Sequence, residues 1–218
     1  PQGVWKTRTP VYYHEFMTSA ERRRAYWQQK MEDAGTWGAA PPNPVHHAIV
    51  RLERVAKVEM VVTQNVDGLH SAAGTSRGKL VEIHGTNREV ECQTCRERTQ
   101  PEPHFASFRD TGEPPVCHCG GFLKPATISF GQDLRADEIA RAYEAAEHCD
   151  LVVALGSTLT VNPAASIPLY ATQRGTPYVI INRGPTDHDR RSVVTLRIEG
   201  DVVEVFPPAV DRALSTQR

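Results

Sequence analysis

Three features of the amino-acid sequence predict an α/β protein: a doubly wound, Rossmann-like parallel sheet with a small inserted zinc-ribbon module. Short apolar runs at 58–63, 80–83, 151–155 and 178–181 have the length of strands, and each gives way to polar or glycine residues. Segments with helix start and stop signals stand between several of them, so strand, polar end and helix repeat along the chain. Four of the five cysteines fall in two close pairs, Cys92-x-x-Cys95 and Cys117-x-Cys119, inside this pattern.

The first 57 residues supply helices. Thr18-x-x-Glu21 reads as a capping box opening a helix over 18–32, with Gly35 as its stop and Trp27 and Met31 on one face. This helix is expected to lie outside the sheet as a lid element. After Pro41-Pro42, Asn43 caps a second helix with Pro44 at its first position. His46 and His47 are adjacent and point to different faces. They read as structural or exposed, because metal-binding His pairs on helices favour i, i+4 spacing.

The strand over 58–63 ends in Gln64, Asn65 and Asp67, closed by Gly68. Ligands bind at strand ends in open parallel sheets, and two amides beside a carboxylate offer the donors and acceptors that a ribose and a carboxamide need. A polar loop leaving a strand is the plainer alternative. The run 80–83 leads into His84-Gly85. An imidazole with an unperturbed pKa of about 6.5 suits a general base, although a His held in a turn would look the same.

Cys92, Cys95, Cys117 and Cys119 have the spacing of a tetrahedral thiolate site for Zn²⁺, and Gly120-Gly121 lets the chain turn around it. The second pair is one residue shorter than the usual Cys-x-x-Cys, which leaves His118 as an alternative ligand to Cys117. A four-thiolate site has no open position and is structural. The segment 96–115 is polar and Pro-rich and is expected to be a loop with little core, stabilised by the metal. Residues 123–132 form an extended apolar stretch that includes Phe130-Gly131, and 136–148 reads as a helix with Ile139, Tyr143 and Ala146 on one face. Cys149 reads as a small buried hydrophobe. The run 151–155 is expected to be covered on both faces, with Gly156-Ser157-Thr158 at its end. Asn162 is read as the cap of a helix starting at Pro163 and ending at Gly175. A strand at 178–181 ends in Asn182-Arg183-Gly184, and a last strand at 193–198 ends in Gly200-Asp201-Val202.

Composition sets outer limits. The chain of 218 residues holds one large domain or one domain with a small insertion, and 39% hydrophobic residues sustain a core. With 25 basic and 26 acidic residues the net charge is −1, so nothing draws the whole chain to nucleic acid or a membrane surface. Arg22-Arg23-Arg24 reads as a solvated helix face. No run has the length of a transmembrane helix, and no signal-peptide pattern is visible at the start. Paired cysteines suit a reducing compartment, so the expected location is the cytoplasm.

The order of motifs resembles the sirtuins, NAD-dependent protein deacylases with a small zinc module: an amide-rich strand end, His84-Gly85, the cysteine pairs, Phe130-Gly131, then Gly156-Ser157-Thr158-Leu159. The resemblance runs from Gly3 to about Pro207. It implies an enzyme using NAD and one structural Zn²⁺ to move the acyl group of a modified protein lysine onto ADP-ribose, releasing nicotinamide. It assigns catalysis to His84 and Asn65. It assigns NAD contacts to Gln64, Asn65, Asp67, Gly156, Ser157, Thr158, Asn182, Arg183 and Val202. Acyl-lysine contacts fall to Phe130, Gly131 and Val161. ADP-ribosyl transfer or NAD hydrolysis on the same residues, and a non-catalytic acyl-peptide module, are the alternatives. Trp27-Gln28-Gln29-Lys30 stands where sirtuins acting on acidic acyl groups carry Tyr-x-x-Arg, so neutral acyl groups are expected. By the same resemblance, 1–40 is a helical lid segment, 41–90 with 123–218 the NAD-binding part, and 91–122 the zinc module. The sirtuin glycine-rich phosphate loop is absent ahead of Gly3-Val4-Trp5. The first strand–loop–helix unit therefore reads as missing, and the chain as given is expected to be nearly inactive.

Overall fold

A computed structural model of the protein describes residues 10–37 and 40–216; Gly3-Val4-Trp5 lies outside them. In chain order come α1 (Tyr13–Thr18), α2 (Ala20–Trp37), α3 (Pro44–Arg54), β1 (Val61–Thr63), α4 (Leu69–Ala73), β2 (Leu80–Glu82), β3 (Gly85–Cys92), β4 (Arg98–Thr99) and α5 (Pro101–Thr111). Then follow β5 (Leu123–Thr127), α6 (Ala136–His148), β6 (Val152–Leu155), α7 (Ser166–Thr172), β7 (Tyr178–Asn182), β8 (Leu196–Glu199) and α8 (Val202–Ser215). The chain forms two compact units. Unit 1 comprises Pro1–Ala40, Asn65–Gly68 and His84–Leu134; unit 2 comprises Pro41–Gln64, Leu69–Ile83 and Arg135–Arg218.

Unit 2 is the parallel α/β part. β1 pairs with β2, Thr63 opposite Glu82, and β6, β7 and β8 lie side by side with Leu155 opposite Ile181 and Asn182 opposite Glu199. The side chains of β7 alternate between two cores, as a period of two requires. Ile181 joins Val45, Ile49, Phe206 and Val210, whereas Tyr178 and Ile180 join Leu159 and Ala165. Both faces of β7 are thus covered, which makes the sheet doubly wound. Asn43 caps α3 as expected, its Oδ1 accepting from the N–H groups of Val45 (2.9 Å) and His46 (3.3 Å). His46 is buried and His47 exposed.

β6 is covered on both faces as expected, Val153 and Leu155 packing on the core of Ile181 and Val152 and Ala154 on that of Tyr178 and Ile180, although its residues are half-buried and Leu151 is 49% exposed. Two expectations for this unit are corrected. Asn162 does not cap a helix at Pro163. The chain first makes a tight turn, Ala165 N–H donating to Val161 O (2.9 Å) and Ser166 N–H to Pro163 O (2.9 Å), and α7 begins at Ser166. The last strand begins at Leu196 rather than 193, since Thr195 is occupied by hydrogen bonds to the backbone of Tyr178.

Unit 1 is built on an antiparallel sheet in the order β4-β3-β5, so Leu123–Thr127 pairs here with β3. α1 and α2 cover it through Phe16, Tyr26 and Trp27, which cluster with Val90, Phe108 and Leu123. The Trp27 indole N–H donates to Leu123 O (3.1 Å), and its ring meets Phe105 edge-on at 5.3 Å. Met31 packs against the same core, on the face it was expected to share with Trp27.

The helix expected over 18–32 is present as α2, but it starts at Ala20, and Thr18 ends the separate helix α1. Ser19 separates the two and accepts from Arg22 N–H (3.2 Å), while the Thr18 hydroxyl turns back to His14 O (2.7 Å). α2 runs through Gly35, since one glycine costs a helix only about 1 kcal/mol. The segment 96–115 is not a plain loop: it holds β4 and α5, with Phe108 buried and Phe105 packed beside it. Pro101 at the first position and Gly112 at φ 70° after the last residue are ordinary helix punctuation.

Candidate active site and metal centre

The four sulfur atoms expected to hold zinc converge. Cys92, Cys95, Cys117 and Cys119 Sγ all lie within 4.8 Å of one another, with Cys92–Cys119 at 3.5 Å and Cys95–Cys117 at 3.7 Å. A tetrahedral Zn²⁺ with Zn–S bonds of about 2.3 Å needs sulfurs roughly 3.8 Å apart, so the cluster fits the ion. Burial opposes ionisation of Cys92. The backbone N–H groups of Cys95 and Thr94, both 3.4 Å from its sulfur, outweigh that and bring its pKa down to about 6, the thiolate state a metal requires. A Cβ at Gly121 would meet Cys92 Sγ at 2.6 Å, which explains the glycine after the second pair. His118 Nδ1 lies 3.6 Å from Cys117 Sγ and 3.2 Å from Glu97, at the rim of the cluster with its side chain 77% exposed, while the four sulfurs converge without it.

Two short segments of unit 1 carry the residues singled out for chemistry. Asn65–Gly68 runs beside the chain that follows His84: Asn87 N–H donates to Val66 O (2.8 Å). Gly68, at φ 68°, lies against Arg88, whose Nε would be 2.1 Å from an added Cβ. Gly85, at φ 75°, has Ala126 O only 2.0 Å from where a Cβ would stand. His84 is half-buried; its carbonyl accepts from Ile128 N–H (2.8 Å), two residues before Phe130. Asn65 is exposed and Asp67 half-buried. One unit thus gathers Asn65, Asp67, His84 and the 128–131 segment.

Phe130 is 53% exposed, its carbonyl accepting from Tyr13 N–H (2.9 Å) and its ring 6.0 Å from that of Tyr12. Trp27, expected in the frame of the acyl-selecting motif, is wholly buried in the core of unit 1. Its neighbour Tyr26 faces this segment instead, with its hydroxyl 3.1 Å from Thr127 Oγ1. Lys30 donates to Asn87 Oδ1 (3.3 Å). Beneath Tyr26 lies Lys124, a fully buried lysine that sequence reasoning passed over, although a lysine inside Phe122-Leu123-Lys124-Pro125-Ala126 was a visible signal. Burial raises the Tyr26 phenol, but the ammonium groups of Lys124 and Lys30 outweigh it and bring its pKa down to about 8.

The residues expected at a nucleotide line the C-terminal ends of adjacent parallel strands in unit 2. Gly156-Ser157-Thr158 follows β6, Asn182-Arg183 is the end of β7, and Asp201-Val202 follows β8. Gly156 N–H donates to Ile181 O (3.0 Å), and Val202 lies 3.7 Å from a Cβ built on Gly156, whose φ is 61°. Gln64 Nε2, after β1, reaches Ser157 Oγ (3.4 Å). Asn182 is buried with its amide on Gly184 O (3.0 Å), and exposed Arg183 pairs with Asp201 (2.5 Å). Glu199, not anticipated, accepts from Gly184 N–H (2.7 Å) at the same strand ends. Val161, expected beside Phe130 and Gly131, belongs to unit 2 and is exposed, whereas those two belong to unit 1.

Known proteins bear on this arrangement. The model of the Sir2 family matches residues 2–163. An NAD-dependent protein deacetylase of Rhodopseudomonas palustris is 36% identical over 211 residues, covering 96% of this chain and 83% of the relative. An NAD-dependent protein deacylase of Archaeoglobus fulgidus is 36% identical, covering 96% and 81%. Among solved structures, one of Sir2 bound to an acetylated peptide superposes with a TM-score of 0.83 at 29% identity, covering 94% of this chain and 83% of that one. Fold, motif order and the four-cysteine cluster agree with these matches, and the chain belongs to the Sir2 family.

Proposed function

We propose that this protein is an NAD-dependent protein-lysine deacylase that removes neutral acyl groups, acetyl foremost. The observation that carries the reading is the hydrogen bond from Asn87 N–H to Val66 O, which lays Asn65 and Asp67 alongside the chain from His84. The relatives' names as deacetylases and deacylases support it. NAD, when bound, supplies the ribose carbon that the acyl oxygen attacks as nicotinamide departs.

Asp67 accepts from the carboxamide of the leaving group, and Gln64 and Asn65 hydrogen-bond the ribose and adjacent water. His84, half-buried, takes the proton from a ribose hydroxyl. Phe130 and Gly131 offer backbone to an extended acyl-lysine peptide as an added strand, with Val161 as a further contact. Gly156, Ser157, Thr158, Asn182, Arg183 and Val202 hold the rest of NAD at the strand ends. The zinc on Cys92, Cys95, Cys117 and Cys119 supplies only a structural link. The cytoplasmic assignment rests on four of the five cysteines falling in two close pairs, which suit a metal in a reducing compartment better than disulfides; no described helix is long and apolar enough to cross a membrane. Neutral acyl preference rests on Trp27-Gln28-Gln29-Lys30 in the place of Tyr-x-x-Arg, because Lys30 cannot grip a carboxylate bidentately as Arg does.

The test is nicotinamide release with and without an acetyl-lysine peptide. Peptide-dependent release that His84→Ala lowers at least about 100-fold is expected. Equal release without peptide would replace deacylation by NAD hydrolysis.

A further inference from the structure

The ladder between β3 and β5 is broken. Gly85 faces Thr127, but the next registered pair is Val90 with Pro125, so residues 86–89 of β3 bulge out. That bulge carries Asn87, which binds the Val66 carbonyl, and Arg88, which lies against Gly68. It is therefore what reaches Asn65–Gly68.

The carbonyls on the opposite edge of β5, which faces away from β3 and pairs with no strand among the described residues, are taken by Lys124. Its ammonium donates to Pro125 O (3.3 Å), to Thr127 O and to Ser129 Oγ (3.2 Å), and it approaches Tyr26 OH (3.5 Å). The residue is fully buried. A methionine would fill the same space without the desolvation cost of a charge, so packing alone does not account for an ammonium here. The oxygens it gathers span 125–129, the segment that also donates Ile128 N–H to His84 O and continues into Phe130.

We propose that Lys124 is a positioning residue for acyl transfer, bracing the outer edge of β5 where its ladder to β3 is broken, so that His84 and the peptide-binding strand at Phe130 keep one fixed spacing. This rests on the proposed deacylase reading. Burial lowers the lysine's pKa while Tyr26 acts against it, and Lys30 and Glu91 are the other charges that act on it; the geometry holds whichever partner carries the proton.

The test is Lys124→Met in the zinc-loaded protein, read by amide exchange and by steady-state kinetics with an acetyl-lysine peptide. Exchange at Ile128 and Ser129 should quicken at least about ten-fold, while that of Cys92, bonded to Glu97 O, stays as it was. The KM for peptide should rise about five-fold or more, and that for NAD should change less than about two-fold. Unchanged exchange at Ile128, or equal changes in both KM values, would overturn the proposal. If Lys124→Met fails to load zinc, Ser129→Ala removes one acceptor from a half-buried position and should raise the peptide KM about two- to three-fold; no rise overturns it equally. A full-length protein that releases no nicotinamide with peptide overturns the deacylase reading, while exchange at Ile128 still decides whether Lys124 holds the strand.

Discussion

Gly85 carries two constraints at once, a left-handed φ of 75° and a backbone oxygen 2.0 Å from any Cβ. Either alone disfavours a side chain; together they require the chain after His84 to move. Gly85→Ala should therefore lose about 2–4 kcal/mol in urea unfolding and most activity. Gly78→Ala, with nothing within 4 Å, should change stability by less than about 0.5 kcal/mol. Equal effects of the two would mean that the approach of Ala126 O is relieved at little cost. A different residue sets a pH dependence. His188 is 2% exposed, and its Nδ1 shares a hydrogen bond with Tyr178 OH (3.0 Å). Burial, aided by Arg191, lowers its pKa below 6.5. The unfolded chain then binds the proton more readily, so this site costs stability as pH falls below about 6.5, down to the folded pKa. The stability advantage of wild type over His188→Gln should narrow between pH 7.5 and 5.5. A gap that stays constant or widens would show that the imidazole is not held neutral.

Helix α5 shows how much one element contributes. Phe108 is 3% exposed and lies 5.9 Å from Trp27, so Phe108→Ala should cost about 3–5 kcal/mol. A loss under 1 kcal/mol in thermal or urea unfolding would return 96–115 to the status of a loop. Its signals were present in the sequence, Pro101 at the start, Phe105 and Phe108 three apart, Gly112 at the end. The polar residues around them, Glu102, His104, Arg109 and Asp110, masked the period. α8 was hidden for another reason: Pro207-Pro208 argues against a helix interior, yet burial of Phe206 and Val210 at about 1.5–3 kcal/mol each offsets much of that cost. By contrast α6 could be read with its full bounds, because Asp137 and Glu138 open it and its apolar face repeats cleanly. The strand ends bearing Gln64, Gly156, Asn182 and Val202 were also readable, since polarity after a short apolar run marks such ends directly. The β3 bulge and the role of Lys124 beside it on β5 were not, because cross-strand register depends on pairing that no local pattern records.

The chain passes between the two units five times, entering unit 1 only for residues 65–68 in its shortest visit. Unit 2 has cores on both faces of β7, whereas unit 1 closes a three-stranded sheet with one aromatic cluster and four thiols. Stability should therefore be uneven, and zinc should matter most where apolar burial is least. Structural zinc sites bind with apparent free energies of about 10–16 kcal/mol in small modules, more than the net stability of most domains. Chelation should then remove amide protection from β3, β5 and α5 before it affects β6, β7 and β8, and Cys92→Ala should act the same way without chelator. Because Cys92 ends the strand that begins at Gly85, loosening should spread along β3 to the bulge and the His84 carbonyl. Loss of peptide-dependent nicotinamide release should accordingly precede any loss of protection in unit 2. Hydrogen exchange followed by mass spectrometry during stepwise chelation reads both. Simultaneous loss across both units would mean that they unfold as one cooperative body, and full protection of β3 after complete zinc removal would mean that the aromatic core of Trp27, Phe105 and Phe108 holds unit 1 without the metal.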